Sequence, residues 1–123
     1  MSRCVGKEFV HHSLETGLTE SLEISVAADV LAIPLTHPWV NKTTGADAEA
    51  LTLANGIPGQ VVVVYLATDG GGDGTITPVT STGWATVVMA DAGDQVTFWY
   101  IDDTMGWIID GSNGVSAPPV KTV

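Results

Sequence analysis

Basic side chains are scarce in this chain. Four Lys and Arg stand against 14 Asp and Glu in 123 residues, a formal charge of −10. Phosphate backbones and anionic membrane surfaces are held by clustered Lys and Arg, so this balance argues against nucleic acid and acidic lipid as direct partners. Cysteine is nearly absent too. Cys4 stands alone, which leaves no intrachain disulfide and no cysteine-rich zinc site. The sequence places no base beside it, so it is a poor candidate nucleophile. No apolar run approaches the roughly 20 residues that span a bilayer. The opening residues, with Arg3, Lys7, Glu8, His11 and His12, lack the apolar stretch of a secretory leader, so synthesis in a cytoplasm without export is expected. The motifs of common catalysts are missing as well: no Gly-x-Ser-x-Gly, no P-loop and no His-Glu-x-x-His. His11, His12 and His37 do not converge at zinc-ligand spacing. No enzyme activity, metal or cofactor is expected.

What the chain does contain is apolar. Hydrophobic residues make up 45% and charged residues only 15%, where roughly a quarter charged is usual for a soluble domain. Much of the surface is therefore expected to be covered by other protein. The densest stretch runs from Gln60 to Thr68, with Val61, Val62, Val63, Val64, Tyr65 and Leu66 in succession. β-branched and aromatic residues lose side-chain freedom in a helix and pack well on a pleated surface, so this is a strand. Val61, Val63, Tyr65 and Ala67 point one way; Val62, Val64 and Leu66 point the other. Both faces are apolar, which predicts a central strand between two layers or between a core and a partner. Gln95 to Ile101 has the same character.

Around these lie weaker copies. Leu22 to Ala27, Val30 to Thr36, Trp39 to Thr43, Glu49 to Leu53, Thr75 to Val79, Trp84 to Met89 and Trp107 to Ile109 all read as short strands. Turn chemistry separates them: Asn55-Gly56, Asp69 to Gly74, Ser81 to Gly83, Asp91 to Asp94 and Asp102 to Gly106. Pro34 lacks an N–H and demotes its end of a strand to an edge or bend. The pattern predicts an all-β fold, an antiparallel sandwich or barrel of jelly-roll type with about nine short strands. Residues 1–23 read as an extended N-terminal arm, 24–115 as the β domain and 116–123, with Pro118-Pro119, as a tail. The arm is expected to have no order of its own and to need a surface to lie on.

Two sets of residues invite a binding role. Asp69 and Asp73, with glycine carbonyls between them, offer oxygen ligands to calcium, but the closing glutamate of an EF-hand is missing, and a glycine turn with local Asp bonds accounts for the same residues. Trp84, Trp99, Trp107 and Tyr100 would form a carbohydrate platform if exposed and core or interface anchors if buried. The low charge favours the interface.

Between residues 46 and 115 the chain resembles bacteriophage virion structural proteins. The resemblance is carried by Gly45 to Gly56, Pro58-Gly59-Gln60, Thr68 to Pro78, Gly83-Trp84, Asp91-Ala92-Gly93-Asp94, Gly106-Trp107 and Gly111 to Val115. Similar segments occur in small capsid decoration (cement) proteins and in modules of tail fibres and tail tips, often as trimers. One β domain with an arm is nearer to a decoration protein than to a fibre. The resemblance thus implies a virion protein on the outer capsid surface, with the major capsid protein and copies of itself as partners. Arg3, Lys7, Phe9 and Val10 of the arm are expected to hold the capsid, and Val62, Val64, Trp99 and Ile101 to form the subunit interface of a homotrimer. The alternative is a tail module that binds host glycans through Trp84, Trp99 or Trp107.

Overall fold

The computed structural model describes residues 21–115. Eight strands follow one another: β1 (Glu23–Val26), β2 (Trp39–Thr43), β3 (Glu49–Leu53), β4 (Val61–Thr68), β5 (Gly74–Pro78), β6 (Val87–Met89), β7 (Gln95–Tyr100) and β8 (Trp107–Asn113). No helix occurs among the described residues. The strands form two sheets, one of five in the order β1-β2-β4-β7-β8 and one of three in the order β3-β5-β6. The fold is all-β, as the alternation predicts.

The core is a single buried cluster fed by both sheets. β4 contributes Val62, Val64 and Leu66, β7 contributes Val96, Phe98 and Tyr100, and the smaller sheet answers with Leu51, Leu53, Ile76, Val87 and Met89. Burial alternates along β2, β3, β4, β6 and β7, as the period of a pleated strand requires, whereas β8 buries Trp107 and then runs out to the surface. Trp84 and Trp107 close one side. Trp84 stacks on Phe98 at 5.2 Å between ring centroids, and Trp107 meets Tyr100 edge-on at 5.0 Å. Both indoles are satisfied: Trp84 Nε1 donates to Trp107 O at 2.9 Å and Trp107 Nε1 to Ala54 O at 2.8 Å. A buried indole N–H without a partner would be costly.

The ladders are mixed, where an antiparallel sandwich was expected. β1 runs parallel to β2, β2 to β4 and β3 to β5, while β4–β7, β5–β6 and β7–β8 are antiparallel. The reason is the path between layers. From β2 the chain turns into the smaller sheet as β3 and returns to the larger as β4. Each passage reverses direction, so two passages bring the chain back parallel to where it left. The predicted strand over Val30 to Thr36 is not one. Only Ala32 bridges to Thr52 there, through Ile33 N to Thr52 O at 2.9 Å and Thr52 N to Leu31 O at 2.8 Å. Pro34 ends that pairing because it has no N–H to give. The strand expected from Trp84 shortens to β6, because Trp84 itself is spent on the core. The turn expected over Asp102 to Gly106 joins β7 and β8 as an antiparallel hairpin, with Gly106 at φ 68° and a bulge between Thr97 and Phe98.

The Gly-rich segment after β4 exists for close packing. Gly72 N donates to Gly45 O at 2.9 Å and Glu49 N to Asp73 O at 2.8 Å. A Cβ added at Gly72 would lie 2.0 Å from Asp47 O. Asp69 Oδ1 accepts from Gly71 N at 2.8 Å, the local bond that aspartate makes at turns.

Candidate functional site

The outward side of the five-stranded sheet carries the residues that alternation leaves over. Register arranges them in three rows. Val61, Trp99 and Ile108 stand side by side on β4, β7 and β8. The next row holds Glu23, Trp39, Val63, Thr97 and Gly111, and the third Ser25, Asn41, Tyr65, Gln95 and Asn113. Trp99 is 41% and Val61 39% exposed, and Trp39, Val63, Tyr65 and Ile108 are half-buried. Trp39 and Tyr65 lie 5.7 Å apart between ring centroids. Trp39 Nε1 donates to Asn41 Oδ1 at 2.8 Å, and Asn41 Nδ2 donates to Glu23. Glu23 is the one charged residue in these three rows. Outside them, acids crowd the turns: Asp69, Asp73, Asp91, Asp102 and Asp103 are all exposed. Between residues 21 and 115 the chain has one Lys or Arg, Lys42, and that side chain is fully buried. The described surface therefore shows carboxylates and no Lys or Arg, and the sheet face is nearly free of charge.

Lys42 sits at an inward position of β2 and reaches across to β3. Its Nζ donates to Ala27 O at 2.9 Å and Val30 O at 2.7 Å, and lies 2.8 Å from Glu49 Oε1. Glu49 Oε2 accepts from Gly45 N at 2.7 Å and Asp29 N at 3.2 Å. Burial alone would raise the Glu49 carboxyl. The Lys42 ammonium and the two backbone N–H groups outweigh it and hold the carboxyl below its ordinary value. The cluster ties two loops to both sheets, with Asp29 held at φ 67°. It is closed to solvent and its groups are engaged, so it has no room for a substrate. At the other end, Tyr100 Oη donates to Asp103 Oδ1. That bond, with burial and the charges of Asp103 and Asp102, pushes the phenol up to about 12. Asp94 is buried as a turn cap and accepts from Ala90 N and Asp91 N.

The predicted site residues fall in different places. Val62 and Val64 were expected at a subunit interface, but both are 0% exposed in the chain's own core. That expectation is corrected: β4 turns its even-numbered residues inward, and its outer face is Val61, Val63 and Tyr65. Trp99 is on the outer face, and Ile101, half-buried, follows β7. Of the two settings expected for β4, between two layers or between a core and a partner, the first is not met, since Val61 on its outer face and Trp99 beside it on β7 are exposed. Trp84 and Trp107 are core residues, so neither serves as a stacking platform. Arg3, Lys7, Phe9 and Val10 lie outside the described residues, as do the tail residues 116–123. Asp69 and Asp73 gain no third ligand: no group of three or more His, Cys, Asp or Glu able to hold a metal exists among the described residues.

Trp39 and Tyr65 were missed as surface aromatics. The signal was the alternation Trp39-Val40-Asn41-Lys42-Thr43, which puts Trp39 on the side of Asn41 and Thr43. The same pattern places Lys42 with Val40, facing the core. No family model matches this chain, and no curated protein does.

Proposed function

We propose that the chain is a non-enzymatic structural protein of a phage particle, a decoration protein that binds the outer capsid shell as a trimer and stabilises it. One observation carries the structural part of this reading. An aromatic, nearly uncharged sheet face lies on a body whose exposed charges are carboxylates. Such a face fits another protein surface, since interface cores are poor in charge and rich in aromatics. The acidic surroundings fit neither nucleic acid nor an anionic membrane. The assignment to a capsid comes from the resemblance of residues 46–115 to virion proteins. Val61, Trp99 and Ile108 are the residues placed to meet a neighbour in a trimer, in place of Val62 and Val64, and Arg3, Lys7, Phe9 and Val10 are assigned to the shell. The stabilisation is mass action: a protein that binds only the assembled lattice shifts the equilibrium towards it.

Cryo-electron microscopy of purified particles tests this. Density for the β domain at threefold positions of the outer shell is expected, together with particles that resist heating less when the protein is stripped off. Density at the tail alone, or stripped particles of equal heat resistance, overturns the reading. In a second reading, favoured by Trp39, Tyr65 and Trp99 sharing one face, these aromatics stack against host glycans in a tail module. Binding on a glycan array that is lost in Trp99→Ala would support it.

A further inference from the structure

We propose that, in the unassembled protein, residues 1–20 fold back across the outer side of the five-stranded sheet and cover the row Val61–Trp99–Ile108. The inference goes beyond the capsid reading and does not depend on it, because the contact is made within one chain.

Three observations converge. The first is where the segment joins. β1, β2 and β4 run parallel, with Glu23 beside Trp39 and Trp39 beside Val63. Continuing that register backwards sets residue 21 level with His37 and Val61, the row that continues to Trp99 and Ile108. The segment therefore reaches the sheet at the end where its outer face is most apolar. Leu22, at the junction, is 66% exposed. A shallow cleft of about 220 Å³, lined by Leu35, Thr36, His37, Pro38, Gln60 and Val61, includes His37 and Val61 of that level.

The second is charge. Arg3 and Lys7 lie in this segment, Lys121 in the tail, and the remaining base, Lys42, is buried. The rim beyond Trp99 presents Asp102 and Asp103, and β8 presents Asp110, all exposed. The segment carries two cations of the kind the described surface lacks, Arg3 and Lys7, together with the acids Glu8, Glu15 and Glu20, so its match to the face rests mainly on the apolar residues Phe9, Val10, Leu14 and Leu18, which suit aromatic and branched side chains.

The third is reach. Five strands about 4.8 Å apart put β8 roughly 19 Å from β1. Phe9 precedes Leu22 by 13 residues, and a chain of that length extends up to about 43 Å at about 3.3 Å per residue. The segment can cross the whole sheet with slack. Attachment also gives it an effective concentration on the order of mM, which favours its own sheet over that of a free second copy. Assembly on a larger surface would displace the segment and make both it and the face available at once.

Cys4 supplies the test without a mutation, as the one cysteine of the chain. A nitroxide attached to it in the full-length, nitrogen-15-labelled protein should bleach the amide signals of Val61, Trp99, Ile108 and the Asp102–Asp103 turn. Thr75, Thr77 and Val88, on the outer side of the smaller sheet, should keep full intensity. Trp99→Glu, at an exposed position, should restore the bleached signals while the indole signal of buried Trp107 stays in place. Bleaching that is uniform or absent overturns the proposal, as does bleaching unchanged by Trp99→Glu. A mixture of labelled chains without nitroxide and unlabelled chains with it separates the sources. Bleaching of the face in that mixture assigns the occupant to a second copy and overturns the intrachain contact. No particle enters the experiment, so its failure leaves the capsid reading to its own test.

Discussion

Lys42 occupies a position of β2 that the alternation reserves for the core, and its neighbours there are arranged around its side-chain nitrogen. Two carbonyl oxygens and a carboxylate surround its ammonium. Removing one member leaves the other buried and unpaired, which costs about 3–5 kcal/mol. Lys42→Met is therefore expected to lower unfolding stability by that amount in a denaturant titration. The double variant Lys42→Met with Glu49→Leu should recover much of the loss, because neither charge then remains. The pH dependence follows from the carboxyl. Glu49 is held below its ordinary value when folded, so the unfolded state binds the proton more readily. The stability it contributes is full above the unfolded carboxylate range, near pH 4.5, and is lost as pH falls through the lower folded value. Melting temperature against pH should show this acid loss in the native protein and a smaller one in the double variant.

At the scale of elements, the turn after β4 is as much a packing surface as a connection. Its backbone lies so close to residues 44–48 that a Cβ at Gly72 has nowhere to go. Gly72→Ala is expected to cost about 1–3 kcal/mol, the range for overpacking a filled site. Gly111→Ala, where an added Cβ meets nothing within 4 Å, should be close to neutral. Thermal melts of the two variants side by side check the contrast. The strands themselves were largely legible. The bounds of β2 and β3 could be read off the alternation and the flanking turns, because a strand's period is a local property. Layer membership could not be read. Nothing local in Glu49 to Leu53 says that this strand leaves the larger sheet, and with it went the parallel ladders. Val62 and Val63 are the same residue type one position apart. Which of the two faces inward depends on where the other sheet lies, so Val62 and Val64 were expected at an interface although they face the core. Trp84 and Trp107 stayed open between platform and buried anchor for the same reason: an indole reads alike in a core and on a surface until its N–H partner is known.

Across the whole molecule, charge is sorted by depth and by segment. The described body shows carboxylates outside and encloses its one ammonium. Self-repulsion of this kind opposes the compact state and is relieved by counterions. The melting temperature is expected to rise as salt is added towards 1 M, where the Debye length shrinks to about 3 Å. A flat or falling curve in scanning calorimetry would show that the exposed acids are already compensated. The buried Lys42–Glu49 pair contributes little to that slope, since screening reaches it poorly. The face, by contrast, owes its character to the absence of charge, and that absence was only partly visible beforehand. The sequence shows how few charges there are, but not that the turns take almost all the exposed ones.

The passage of the chain between two layers also sets a clock. β4 lies between β2 and β7, and Val63 faces Thr97, so the central strand waits for a partner made some thirty residues later. β8 then adds outside β7. Pairings this distant along the chain close slowly, in milliseconds to seconds for β-rich domains. A ribosome adds about 5–20 residues per second. The first strands thus emerge seconds before their sheet can be finished, with Val62, Val64 and Leu66 still uncovered. In that interval the acids of the turns act between molecules, as like charges that keep one unfinished chain from pairing with the next.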